Sequence, residues 1–154
     1  MDKQIKMPFA GDEMAESKTR KKTFLAKIDR IIPWEELKGL VKPCYYEGKR
    51  GNKPYGLELM LRIYLLQEFF SLSDLAVKNE IVDSRALSEF CGLEFVKEVP
   101  DSKTIGRFRK LLEKYALAER IKETVKTAFA SAGYTLRPGN LTSPTLVKKK
   151  AKKK

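Results

Sequence analysis

The sequence predicts an all-α fold. Apolar residues recur three and four apart through most of residues 19–132, serines, aspartates and glycines stand where helices begin and end, and only from Tyr134 do period and composition shift toward an extended strand. The expected form is a compact helical domain over 18–133 with a helix-turn-helix-like part. A disordered N-terminus precedes it over residues 1–17, and a short extended Lys-rich C-terminal tail follows over 134–154. At 154 residues the chain suffices for one domain with a real core and requires no second.

The first helix is expected from Thr19 to Ile32, where Phe24, Ile28 and Ile31/Ile32 share a face and Arg20, Lys21, Lys22, Lys27 and Arg30 take the other positions. Pro33 ends it. Trp34, Leu37, Leu40 and Val41 then mark a short second helix, stopped by Pro43. Residues 44–56, CYYEGKRGNKPYG, mix Gly, Asn and Pro with Lys49, Arg50 and Lys53 and read as a loop, either a phosphate contact or a plain solvated connection. The next run, LELMLRIYLLQEFF over 57–70, is apolar on most sides and belongs at the centre of the domain. Two short helices follow, capped by Ser73 and by Asp83 or Ser84, with Gly92 as the stop. They form the helix-turn-helix-like part, although generic helical packing produces the same pattern. Leu117, Ile121, Val125, Ala128/Phe129 and Ala132 make the seam of a last helix ended by Gly133.

Composition excludes several functions. There is no His, so neither a His-based triad nor a 2-His-1-carboxylate iron site can be built, and Cys44 and Cys91 alone cannot complete a four-ligand zinc site. Both are expected as free, buried or half-buried thiols. The apolar run 57–70 is broken by Glu58, Arg62, Gln67 and Glu68 and falls short of the ~20 residues a bilayer requires, and the start lacks the apolar stretch of a secretory signal. The chain is therefore expected to be cytoplasmic, with no membrane partner. Glu35/Glu36, Asp74, Glu80 and Glu119/Glu123 sit in ordinary helix-surface settings, no phosphate loop is present, and no small-molecule substrate is indicated. Six of the +12 formal charges come from the lysines of 148–154, and the rest of the chain keeps the other half. A basic surplus of this kind suits nucleic acid, whose phosphates release counterions on binding Lys and Arg, or serves solubility alone.

The sharpest cationic pattern lies in VPDSKTIGRFRKLLEKY, residues 99–115. Pro100 and Asp101 or Ser102 announce a helix start, and Ile105, Phe108, Leu112 and Tyr115 recur on an inward face. On a helical wheel Lys103, Arg107, Lys110 and Lys114 fall at about 0°, 40°, −20° and 20°, one continuous basic stripe. Gly106 beside the stripe would let a backbone approach closely, which suits a helix entering a groove or touching phosphate. A solvated basic face is the alternative.

RKKTFLAKIDRIIPWEELKGLVKPCYY, GNKPYGLELMLRIYLLQEFFSLSD, VPDSKTIGRFRKLLE and the FASAG to GNL junction follow one another in this order. Together, and most specifically through IIPW, KPY, MLRIYLLQ and PDSKTIGRFR, they resemble the N-terminal region of InsH-like transposases of the bacterial insertion-sequence five family, from about Lys18 to Leu146. The resemblance implies a helical region that binds double-stranded DNA at the element's terminal inverted repeats for DNA transposition, at the nucleoid. Lys103, Arg107, Lys110 and Lys114 would contact phosphates or base edges, helped by Arg20, Lys21, Lys22, Lys49, Arg50 and Lys53. It also implies a following ribonuclease-H-like domain whose Asp, Asp and Glu hold two divalent metals.

In the family the first catalytic Asp follows the FASAG-type turn in a pattern resembling G-x-L-V-D-A-T. Here the run is Gly139-Asn140-Leu141-Thr142-Ser143-Pro144-Thr145, so Ser143 stands where that Asp is expected, and serine lacks the carboxylate's charge. Pro144 would interrupt ladder pairing, and lysines follow Val147 where the strand should continue into the sheet of a catalytic domain of on the order of 100 residues. The expectation is a truncated or first-frame product, no enzyme by itself, with no cofactor or metal of its own; Mg²⁺ would belong to a full-length relative. Such a chain would occupy inverted repeats, or pair with full-length transposase or with itself as a dimer. The alternatives are one half of a split or frameshifted transposase completed in trans or by fusion, a dimerisation module whose charge is incidental, and an inert remnant.

Overall fold

A computed structural model of the chain describes residues 10–45, 55–137 and 145–148. Seven α-helices are present among them: α1 (Ala10–Ile31), α2 (Trp34–Tyr45), α3 (Leu57–Phe70), α4 (Asp74–Asp83), α5 (Arg85–Cys91), α6 (Ser102–Lys114) and α7 (Leu117–Ser131). A 3₁₀ turn at Val96–Glu98 precedes α6, and strands β1 (Tyr134–Arg137) and β2 (Thr145–Lys148) follow α7. The fold is all-α, as the helical spacing requires. No helix among the described residues is long and apolar enough to cross a membrane.

The central position of α3 follows from its composition. Ten of its 14 residues are buried, with Leu61, Ile63 and Leu66 wholly so, and a helix apolar all round must be packed all round. It meets α2, α4, α5 and α6. Each fully buried Leu, Ile or Phe contributes about 1.5–3 kcal/mol relative to exposure, and α3 supplies more of the buried apolar side chains than any other described helix. Phe24 of α1 stands edge-on to Phe69 and Phe70 at centroid distances of 6.3 and 6.0 Å, and Phe69 meets Phe129 of α7 at 6.3 Å. Leu25 and Ile28 of α1 and Ile32 just past its end are buried, while Phe24 and Ile31 are partly buried.

Three boundaries differ from the sequence expectation. The helix α1 begins at Ala10, inside the segment expected to be disordered. Residues 10–17, AGDEMAES, contain Ala, Glu and Met, which propagate a helix on backbone propensity without supplying the apolar period that the prediction relied on. Helix α2 passes through Pro43 and ends two residues later. Pro43 itself is exposed, and Tyr45 is buried against Phe108 with rings 5.7 Å apart, so tertiary anchoring carries the last turn past the missing N–H donor. Beyond α7 the chain forms an antiparallel hairpin, where one interrupted extended run was expected. Tyr134 pairs with Lys148 and Arg137 with Thr145, and β1 packs on α7. Strand β2 opens at Thr145, and Pro144, expected to interrupt ladder pairing, lies outside the described residues.

Ser73 caps α4 as expected, and of the two candidates Asp83 and Ser84 it is Ser84 that caps α5. Ser73 Oγ accepts from Ala76 N–H at 3.1 Å, and Ser84 Oγ accepts from Leu87 N–H at 3.3 Å. Ser84 thus starts α5 directly at the end of α4. Gly92 closes α5 with φ +74°, in the left-handed region that glycine enters without steric penalty.

Arg62 of α3 joins four helices. Its Nη2 donates to Asp29 Oδ1 on α1 at 3.0 Å, its Nε to Glu58 Oε2 at 2.9 Å, and its Nη1 to the Phe90 carbonyl of α5 at 2.8 Å. The guanidinium lies 4.2 Å from the Trp34 ring centroid on α2 and 4.9 Å from that of Phe90. Trp34 Nε1 in turn donates to Asp29 Oδ1 at 2.8 Å. Only 14% of the Arg62 side chain is exposed, against 41% for Asp29 and 40% for Glu58. Arg62→Ala is expected to lower the unfolding free energy by about 2 kcal/mol in urea denaturation, below the range for fully buried pairs because both carboxylates reach water. Lys38→Ala, which removes a cation from the solvent side of Glu58, is expected to shift the same curve far less.

Candidate nucleic-acid interface

Helix α6 forms because Asp101 caps it and its apolar period is strong. Asp101 Oδ1 accepts from Thr104 N–H at 2.9 Å, and that bond holds the carboxyl below its ordinary value. Ile105, Phe108 and Leu112 are buried. Lys103, Arg107, Lys110 and Lys114 are all exposed, in agreement with the wheel. None of the four has a carboxylate within ion-pair distance among the described residues; the α6 cation that does is Arg109. Tyr115, expected on the inner face, is 44% exposed. It lies past the last helical residue, where the period no longer applies, and the Lys114 ammonium sits 5.4 Å from its ring centroid.

Arg109 is neutralised within the fold. Its Nη2 and Nε donate to Asp74 Oδ2 and Oδ1 at 2.8 and 3.1 Å, a two-point pairing that ties α6 to the start of α4. Gln67 Nε2 donates to the same Asp74 Oδ1 at 2.9 Å and to the Leu72 carbonyl at 3.2 Å. The Arg109 hydrogen bonds hold the Asp74 carboxyl below the usual aspartate range against the opposing effect of burial, with Gln67 adding to the shift. The Asp74 carboxylate correspondingly raises the Arg109 pKa.

Gly106 has a different role from the one its place beside the stripe suggests. It is buried, and a Cβ built on it would stand 2.9 Å from Asp74 Oδ2. Its bare backbone makes room for the Asp74–Arg109 pair between α4 and α6. The close approach predicted at this glycine is made by the protein's own carboxylate.

The remaining candidates are distributed elsewhere. Arg20, Lys21 and Lys22 lie on α1, which packs against α5, whereas α6 packs against α4, so the two cationic regions belong to different helix pairs. Lys22 Nζ is 3.9 Å from Glu89, a carboxylate that also pairs with Arg85. Lys49, Arg50, Lys53 and Ser143 lie outside the described residues. Cys44 and Cys91 are free thiols, and burial pushes the Cys91 thiol up to about 12. Among the described residues no group of three His, Cys, Asp or Glu side chains could hold a metal ion.

An open groove of about 600 Å³ separates α4 from α6, and part of its lining escaped the sequence reading. Ser102, Lys103, Arg107 and Lys110 line it from α6, Ser73 and Leu75 line it from the start of α4, and the Asp74–Arg109 pair lies in its wall. Leu75 could have been found: it falls on the side of α4 away from Val77 and Ile81, an apolar residue off the buried seam. Its relevance to the stripe needed the packing of α4 on α6.

The fold and this face together define a helical domain whose α6 carries four exposed cations without an ion-pair partner among the described residues. The family described as Transposase domain (DUF772) matches residues 13–111, from α1 into α6, and the chain belongs to that family. No solved structure matches it.

The Asp74–Arg109 pair has a pH signature. Because the folded pKa of Asp74 is depressed, the stability it supplies is complete above the ordinary aspartate pKa of about 4 and is lost as pH falls through the folded value. Burial alone would raise the Glu58 carboxyl, but the hydrogen bonds and charges of Lys38 and Arg62 together hold it low, so more than one carboxylate contributes to acid destabilisation. Asp74→Asn is expected to be less stable than the unaltered protein at neutral pH and to lose less stability between about pH 6 and about pH 3. Urea denaturation at both pH values checks this; identical losses in the two proteins would show that the pair contributes nothing.

Proposed function

We propose that this chain binds double-stranded DNA as the end-recognition domain of an insertion-sequence transposase, engaging the element's terminal inverted repeats through α6. The observation that carries this reading is the row of four exposed cations, Lys103, Arg107, Lys110 and Lys114, with no carboxylate at ion-pair distance among the described residues, on the same helix whose fifth cation, Arg109, is internally neutralised. Cations of structural use are paired in this fold, and these four are available to a polyanion whose counterions they would release. Membership of a transposase family supports a role in transposition. The succession α4, α5, α6 suits a helix-turn-helix-like presentation in which α6 enters the major groove. Arg20, Lys21 and Lys22 add charge from α1, with Lys22 partly offset by Glu89. The domain's task in this reading is to hold the element end, alone or beside a second transposase chain, while strand transfer is not assigned to it.

The purified protein is expected to enrich one family of duplexes from a random-sequence pool. It should bind these, and the inverted repeats flanking its own gene, roughly a thousandfold more tightly than random duplex at physiological salt. Equal affinity for all duplexes would sink the reading. Each of Lys103→Ala, Arg107→Ala, Lys110→Ala and Lys114→Ala is expected to weaken binding and to reduce the slope of log Kd against log salt by about one, with unchanged helix content. Intact binding after charge reversal of Lys103, Arg107 and Lys110 would place the interface on another face.

A further inference from the structure

The groove between α4 and α6 combines charge with one apolar group. Leu75 is 57% exposed, and α4's buried residues Val77 and Ile81 lie on another side of the helix. A solitary exposed leucine is ordinary on a protein surface. This one shares a groove with Lys103, Arg107 and Lys110, three cations without carboxylate partners among the described residues. Asp74, the acidic group lining the groove, is bonded to Arg109 and Gln67, so it does not oppose an incoming anion with a free charge. Ser73 Oγ accepts the Ala76 N–H, which leaves its hydroxyl proton to donate outward. The walls thus offer cations, a hydroxyl donor and a single aliphatic side chain within about 600 Å³.

We infer that this groove receives one strand edge of a DNA duplex and that Leu75 is a specificity-determining residue, packing on the 5-methyl group of a thymine. The inference rests on the DNA-binding reading above and adds to it a base contact supplied by α4. Cations against phosphate bring affinity without sequence information, whereas base edges carry it. With the α6 stripe against the major groove, a neighbouring aliphatic side chain meets an edge lined by donors, acceptors and the thymine methyl, and the methyl is the apolar group there. A second copy of the chain is a poorer occupant. One leucine among lysines provides far less apolar area than the roughly 800 Å² per partner of a stable interface, and like charges would face each other.

The test uses the full chain and a duplex enriched from a random pool by the unaltered protein, then the same duplex with each thymine in turn replaced by deoxyuridine. Leu75→Ala is expected to lower affinity about fourfold, the effect of burying one methyl-sized group, without changing the salt slope that the α6 cations set. One thymine-to-deoxyuridine change should weaken the unaltered protein by a similar factor and leave Leu75→Ala unaffected, while Leu75→Met retains most of the affinity. Circular dichroism and Tm, expected to be unchanged at so exposed a site, separate this from loss of fold. Unchanged affinity of Leu75→Ala, or a loss that no single deoxyuridine reproduces, overturns the inference and leaves the α6 reading standing. If the unaltered protein enriches no duplex, both fail together.

Discussion

The arrangement of the helices depends on where one guanidinium is held. Arg62 projects from α3, the helix buried on nearly every side, into a space bounded by Trp34, Phe90, Asp29 and Glu58. A cation is tolerated there because its donors meet two carboxylates and a backbone carbonyl while its faces lie near aromatic rings. Those partners come from α1, α2, α3 and α5, so satisfying the charge restricts how these helices sit around the core. Apolar contacts alone permit sliding; directional bonds to a planar fork do not.

The same logic acts again at α6. Asp74 and Arg109 link α4 to α6, Gly106 leaves space for the pair, and Gln67 ties it back to α3. With Arg109 turned toward α4 and Ile105, Phe108 and Leu112 turned into the core, Lys103, Arg107, Lys110 and Lys114 are the cations that remain on the outer surface. Their common orientation is a consequence of the core and the ion pair together. The core and the ion pair fix the helix backbone that carries these side chains, so only the side chains themselves would be ordered on binding a polyanion.

Much of this was legible in the residues. Ser73, Ser84, Gly92 and Asp101 sit at helix ends because a hydroxyl, a carboxylate or a missing Cβ answers a local backbone need, and local needs can be read locally. The buried character of 57–70 and the cationic stripe of α6 follow from periodicity in the same way. Features that depend on partners distant in sequence were misread or missed. Helix α2 continues through Pro43 to a buried Tyr45, Gly106 accommodates a carboxylate 32 residues earlier in the chain, and the hairpin joins Tyr134 to Lys148. The place of Leu75 off the buried seam of α4 is legible in the helical period, but its sharing a groove with the α6 cations is not.

By itself the sequence determined an all-α domain, its caps, its central helix and the identity of the four stripe cations, because each follows from spacing within a few turns of one helix. Tertiary structure decided which charges are neutralised. Arg62, Arg107 and Arg109 are the same residue type, yet one joins four helices, one faces out and one is paired across α4 and α6. That distinction rests on which carboxylates folding brings within about 3 Å, a distance set by the packing of whole helices and absent from any local pattern.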